Sequence, residues 1–358
     1  MRIDPQSPPR GIALIIVMVV VVSLSLLAGG FAYSMKVETT LARNANADSD
    51  MEWLGRSGIE RAKWLLSQAR PGGMQYDALN QKWAGGTGDT NLADIDLKNY
   101  PLGPGSISIE IKDLDRKFNI NTVTAANTEI LRQAMILMGI DAAESSKIMA
   151  GIIDWMDADD ETQMGSNDTE SSYYLRLNPP YRAKNGPIDD LTEMMLINRI
   201  TPAMFYGSDH FGQASHGAVH RSGFSRSHFE EPYYPIGFVD LFATMGGPIN
   251  INTADAAVLQ LVPEVDEPMA QAIIGARAGP NDPPEGIENR MAFQNIGQLA
   301  RVPGMPPAMI GLFSRYFGVQ STTYEVHVEA RIGTYKRNYT GVVRRDGNRF
   351  RTLYMYWD

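Results

Sequence analysis

The chain has 358 residues, of which 44% are hydrophobic and 20% charged, with a formal net charge of −9 and no cysteine. That length allows two or three domains with cores of their own, and the composition is that of a globular protein. The missing cysteines exclude a disulfide framework, a thiolate zinc site and a cysteine nucleophile. The acidic balance argues against general nucleic-acid binding, which rests on a basic stripe.

No residue from Gly11 to Met35 is charged. A helix crossing a bilayer needs about 20 apolar residues at ~1.5 Å rise each, so the run predicts a membrane-spanning helix over 12–35 with the bulk of the chain on one side. A secretory signal peptide has a shorter apolar core, of about 7–15 residues, ending at a small-x-small cleavage site. Ala28, Gly29 and Gly30 are small, but Phe31-Ala32-Tyr33-Ser34-Met35 prolongs the uncharged run. Arg2 and Arg10 before the run, against Lys36, Glu38 and Arg43 after it, lean towards an inside N-terminus. From Val37 to Gln68 there is no proline, and Leu41, Ala45, Leu54, Ala62, Leu65 and Leu66 recur at helical spacing. The pattern predicts one rod of roughly 85 Å over 12–69, with a soft point at Gly29-Gly30 and a stop at Arg70-Pro71-Gly72-Gly73.

Residues 71–105 read as loop. Ser106–Lys112 then alternates as a half-buried strand does, and Tyr324, Val326, Val328, Ala330 and Ile332 alternate with charged neighbours. Further strands follow around 339–345 and 349–356, joined by the turn Arg345-Asp346-Gly347-Asn348. This antiparallel meander most easily completes the sheet of the lone early strand, which makes residues 116–318 an insertion.

The insertion repeats itself. Phe118-Asn119-Ile120-Asn121-Thr122-Val123 recurs as Ile249-Asn250-Ile251-Asn252-Thr253-Ala254, with similar apolar patterns downstream of each copy. A second pattern trails each copy, at Leu191-Thr192-Glu193-Met194 and at Ile296–Gly304. Threonine is a good N-cap, so Asn-x-Asn-Thr reads as a chain entering a helix, and the unit as a duplicated helix-hairpin-helix. In DNA enzymes such hairpins bind phosphate through backbone N–H groups. Here Glu264 and Asp266 stand where phosphate would sit in one turn and Pro306 replaces a donor amide in the other, so these helices are expected to pack, not to bind DNA.

Asp154-Trp155-Met156-Asp157-Ala158-Asp159-Asp160-Glu161 is followed by Asp168 and Glu170 in a Gly/Ser/Asn loop. Such carboxylates repel one another unless they are solvated or neutralised, and a hard cation taking 6–8 oxygens at about 2.3–2.6 Å would relieve them. The run is no EF-hand, since Thr162 stands where that loop requires glycine. His210, His216, His220 and His228 are spaced like no metal template. No nucleophile elbow or phosphate-binding loop is present, and nothing in the sequence reads as an enzyme.

These residues together resemble the minor pseudopilin K family of type II secretion systems. The likeness runs from Arg10-Gly11-Ile12-Ala13-Leu14-Ile15-Ile16-Val17, which looks like a prepilin processing site, through Asp113–Asn121, Asp154–Asp159 and Tyr181–Pro187 to Ile249–Ala254 and the final meander. It implies an α+β protein whose long N-terminal helix packs on a small antiparallel pilin-like sheet, with a large all-α insertion of duplicated helix-hairpin-helix (SAM-like) units. The implied parts are a leader 1–11, a membrane helix 12–35, and the rest of the helix, loop and first strand over 36–115. They continue with an inserted helical domain 116–318, comprising units 118–207 and 249–318 linked by 208–248, and a meander 319–358. The resemblance further implies cleavage after Gly11 by the prepilin peptidase and N-methylation of Ile12. It implies a structural Ca²⁺ held by Asp159, Asp160, Glu161, Asp168 and Glu170, and partners among the I and J minor pseudopilins. A bacterial inner-membrane anchor with the bulk of the chain in the periplasm completes the expectation, with no nucleic-acid partner. Most pseudopilins carry Glu at the fifth mature position, where this chain has Ile16. A carboxylate in lipid is costly without a partner, so its absence suits a subunit with none above it, a tip that initiates or caps the pseudopilus. The segment 207–232 looks like an insertion relative to the family. The alternatives are a type IV pilus minor pilin, or a membrane-anchored DNA receptor using its helix-hairpin-helix units.

Overall fold

Helix α1 (Gly11–Gln68) runs unbroken through Gly29-Gly30 in the computed structural model, which describes residues 11–68, 75–86, 97–161, 168–208, 233–278, 291–347 and 349–357. The glycine pair does not act as a break: glycine costs a helix about 1 kcal/mol per residue, too little to interrupt so long a run. Residues 1–10 of the expected leader 1–11, and His210, His216, His220 and His228, lie outside the described residues.

The two halves of α1 meet different surroundings. Ala13–Ala42 is long and apolar enough to cross a membrane, and none of its best window is buried in the protein. From Met51 onward one face is covered: Met51, Leu54, Ile59, Ala62, Leu65 and Leu66 are buried at the three-and-four spacing of a helix stripe. That stripe lies on a five-stranded antiparallel sheet of order β1-β2-β7-β8-β9, formed by β1 (Tyr100–Leu102), β2 (Gly105–Asp113), β7 (Thr323–Ile332), β8 (Tyr335–Asp346) and β9 (Arg349–Trp357). Ile107, Ile109 and Ile111 of β2 and Tyr324, Val326, Val328 and Ala330 of β7 point into the same core. Burying each large side chain of this kind contributes roughly 1.5–3 kcal/mol. The segment 71–105, expected as loop, also holds a 3₁₀ turn at Lys82–Ala84 and the strand β1. Trp83 explains the turn. It is buried edge-on against Tyr324 at 5.4 Å, and its indole N–H donates to Gln81 Oε1 at 2.7 Å.

Between β2 and β7 the chain builds a second hydrophobic core. Each Asn-x-Asn copy begins it in the same way. Phe118–Asn119 (β3) pairs in parallel with Phe242–Ala243 (β4), and Ile249–Asn250 (β5) with Phe317–Gly318 (β6). The first asparagine accepts the backbone N–H of the second in both copies. The second clasps one distant residue by both backbone groups. Asn121 accepts from Ile188 N (2.7 Å) and donates to Ile188 O (2.8 Å); Asn252 does the same with Phe293 N and O at 2.8 and 2.9 Å. The threonines are not the helix caps that the sequence suggests. Thr122 bonds back to Asn119 O, and Thr253 reaches Asp113 Oδ2 at 2.6 Å. The helices begin later, α2 at Glu129 (Glu129–Leu137) and α3 at Ala142 (Ala142–Met156), the latter capped by Asp141. Helical segments follow one another through residues at positive φ: Gly139 (74°) and Arg199 (72°) in the first half, Glu264 (67°) and Gly304 (81°) in the second.

A buried polar junction ties the two cores together. Asp77 is fully buried; its carboxylate takes Arg345 Nη1 and Nη2 at 2.7 and 3.0 Å and the Ser321 amide at 2.8 Å. Its carbonyl accepts Asn250 Nδ2 and Asn252 Nδ2. Asp113, at the end of β2, accepts Ser321 Oγ (2.5 Å), Thr253 Oγ1 (2.6 Å) and Asn250 Nδ2 (3.2 Å).

The helix lies on the sheet through glycine. A Cβ on Gly58 would stand 2.4 Å from Val328 Cγ1, and one on Gly55 2.6 Å from the Tyr339 ring. Gly58→Val therefore forces helix and sheet apart, and overpacking of this kind costs about 1–3 kcal/mol. Denaturant unfolding of the variant should show that loss as a lower midpoint with little change in slope.

Candidate metal centre

Helix α3 is buried on every side from Ile148 to Trp155, and Asp154 lies inside with it: it is fully buried and accepts Thr169 Oγ1 at 2.5 Å. The helix stops at Met156 and Asp157 caps it, so the acidic run leaves the helix at a point where side chains still face inward. Residues 168–170 return beside it. Asp157, Asp159 and Glu170 bring carboxylate oxygens within 4.8 Å of one another.

Glu170 is 2% exposed, and its carboxylate has only the neighbouring Ser171 amide as donor, in poor alignment, among the described residues. Burial, with Asp154, Asp157 and Asp160 nearby, pushes its pKa up to about 7. A buried carboxylate with so few donors is costly as an anion unless it is protonated or meets a cation. Trp155, Tyr174 and Tyr181 pack around the base of this loop, and a cavity of about 330 Å³ lined by Asn121, Ile153, Met156, Asp157 and Asp159 opens beside it.

The five carboxylates singled out from sequence divide. Asp159 and Glu170 belong to the cluster. Asp168 is drawn away by Arg199, whose Nη2 donates to its Oδ2 at 2.8 Å while Nη1 holds Glu144, and Asn198 Nδ2 also reaches Asp168. Asp160 accepts Asn185 Nδ2 at 3.0 Å, and Glu161 is exposed at the end of the described run. Asp157 is the member that sequence reasoning passed over, although it stands in the same acidic run; its position as the cap of α3 is what turns it inward. At the other predicted site, Gly11 and Ile12 open helix α1.

With one oxygen each, three carboxylates supply up to half of the about 6–8 oxygens that Ca²⁺ takes, the remainder falling to carbonyls or water. The buried Glu170, surrounded by other carboxylates and short of donors, fits a hard divalent cation. With the cation bound, Asp157, Asp159 and Glu170 would hold residues 157–159 and 168–170 together at the end of α3.

Two family models, both described as type II secretion system (T2SS), protein K, match residues 116–207 and 249–312. The type II secretion system protein K of Pseudomonas aeruginosa is 24% identical over 352 residues, covering 94% of this chain and 91% of its own length. That of Pectobacterium carotovorum subsp. carotovorum is also 24% identical over 352 residues, covering 92% and 90%. A chain of the solved GspK-GspI-GspJ complex from the enterotoxigenic Escherichia coli type 2 secretion system shares the fold, with a TM-score of 0.63 at 17% identity. The likeness covers 88% of this chain and 99% of that one.

Calcium titration of the full chain in detergent tests the centre. Glu170→Gln and Asp157→Asn should each weaken binding at least about tenfold, whereas Asp160→Asn should change it less than about threefold. The cation must displace the Glu170 proton, so below about pH 7 affinity should fall by up to tenfold per pH unit. The sign for the metal-free chain is opposite. Its folded state holds a proton that the unfolded state releases, so it loses stability as pH rises towards 7, and Glu170→Gln should remove that loss.

Proposed function

We propose, from the premise that this chain belongs to the protein K family of the type II secretion system, that it is a minor pseudopilin standing at the pseudopilus tip, where it initiates or caps assembly for protein export. It is a structural subunit and not an enzyme.

The observation that carries this reading is the division of α1. One half offers a bare apolar helix of membrane-spanning length, and the other is laid on an antiparallel sheet through Gly55 and Gly58. Such a subunit can leave the bilayer lengthwise while its folded head stays in water. The leader would be cut after Gly11, exposing Ile12 for methylation, with the anchor in the inner membrane and the head in the periplasm. Ile16 at the fifth mature position leaves no carboxylate to receive the amino terminus of a subunit above. The insertion between β2 and β7, at residues 116–318, would obstruct further addition.

The helical pairs turning through Gly139, Arg199, Glu264 and Gly304, with their matched asparagine clasps, support duplicated helix-hairpin-helix units of about 118–207 and 249–318. Glu264 at a turn apex opposes phosphate, so these units are packing modules. Calcium at Asp157, Asp159 and Glu170 would be structural. Partners of the GspI and GspJ kind would contact the exposed side of α1 and the sheet.

Affinity-tagged full chain, extracted from the membranes of its host, should co-purify with the two partner pseudopilins in fixed ratio and show no salt-sensitive DNA binding. Recovery of the chain alone, with DNA retained at low salt and lost at high salt, would favour the receptor reading instead.

A further inference from the structure

The junction between the sheet and the insertion contains more acid than base. Asp77, Asp113 and Asp115 are at most 2% exposed, and one guanidinium, Arg345, faces them. Arg345 commits both terminal nitrogens to Asp77 and adds Ser321 O and Tyr324 Oη. The neighbouring cations turn elsewhere: Arg116 to Asp255, and Lys117 to the Val239 carbonyl.

Among the described residues neither Asp113 nor Asp115 bonds a cation, and each feels the charge of a neighbouring carboxylate. The Asp115 amide donates to Asp113 Oδ1 at 2.8 Å. Asp113 Oδ2 is saturated by Ser321, Thr253 and Asn250. Asp115 Oδ2 takes the Thr322 amide and hydroxyl at 2.7 and 3.0 Å and the Gly247 amide also donates to this carboxyl, although its buried Oδ1 has no well-aligned partner among the described residues. That oxygen points at Gly246, where a Cβ would come within 2.7 Å of it. Two ionised carboxylates so placed, beside a third that already holds the facing guanidinium, repel each other in a medium that screens poorly.

We propose that Asp113 and Asp115 hold one proton between them in the folded chain, and that its release loosens the seat of the helical insertion on the sheet. Each of the two residues bonds both sides of that seat. Asp113 grips β5 through Asn250 and the return of the chain through Ser321; Asp115 grips the return through Thr322, and its carbonyl accepts the Asn250 amide at 2.8 Å. Burial first, and then the surrounding carboxylates, raises both acids above their ordinary range, Asp113 the further. An acid raised on folding contributes stability that is full below its unfolded pKa and is lost as pH rises through its folded one. The seat is therefore tightest under mild acid and loosens towards alkaline pH, by up to about tenfold in the opening equilibrium per pH unit for one proton.

The test uses the full chain in detergent, in a Glu170→Gln background so that Glu170 adds no protonated carboxyl of its own. Infrared spectra are followed from about pH 5 to about pH 8, with hydrogen exchange of the Asn250 and Thr322 amides corrected for intrinsic rates. We expect a protonated-carboxyl stretch that disappears as pH rises, with protection of those two amides falling in step by at least about tenfold. Asp115→Asn should remove the stretch and flatten the pH dependence to within about twofold; Asp113→Asn serves if that variant fails to fold. Absence of the stretch at mildly acid pH overturns the proposal. So does a stretch that titrates while protection of both amides stays constant.

Discussion

An insertion of some two hundred residues has to leave one strand and re-enter its neighbour without parting them. Asp113, the last residue of β2, is in register with Tyr324 of β7, so departure and return are a single strand spacing apart. Everything between must close on itself, and the closure is polar. Asp77 gathers Arg345, Ser321, Asn250 and Asn252; Asp113 gathers Ser321, Thr253 and Asn250. Buried networks of this kind are costly when a single member is missing and specific when complete. This one fixes where the second core sits on the first, and with it the direction in which the head of the subunit grows away from its stem.

The stem itself obeys a different constraint. Its sheet-facing half must approach closely enough to bury a helix stripe against isoleucine and valine, and two glycines one turn apart permit this. Its other half carries large apolar side chains facing outward: Leu14, Leu24 and Phe31 are all more than half exposed. A bilayer, or the helices of fellow subunits, would give that half the apolar surroundings that the protein does not supply. The two halves of α1 thus call for different surroundings, one apolar and outside the protein, the other the sheet itself.

Features with a period or a repeat were legible in the sequence. The uncharged run, the alternation of the meander and the Asn-x-Asn duplication each register as spacing, and each corresponds to an element in the fold. What the asparagines do was not legible. Asn121 and Asn252 clasp residues 67 and 41 positions away, a contact made by tertiary closure, and so the adjacent threonines drew attention as helix caps instead. The acidic cluster was half legible for a similar reason. Composition marks the run, but membership depends on where α3 ends and on Arg199, which withdraws Asp168 from 31 residues away. Asp77 stands in a segment read as loop, with no pattern around it, and its importance comes entirely from the groups folded against it.

The account stands on α1 being the processed stem of a pseudopilin. The most direct measurement is the intact mass and N-terminal sequence of the membrane-extracted chain, with and without the prepilin peptidase. The account predicts a chain beginning at methylated Ile12 only when the peptidase is present. A chain beginning at Met1 in both cases, or cut beyond Ala28, would contradict it and leave an ordinary membrane anchor or a secreted domain.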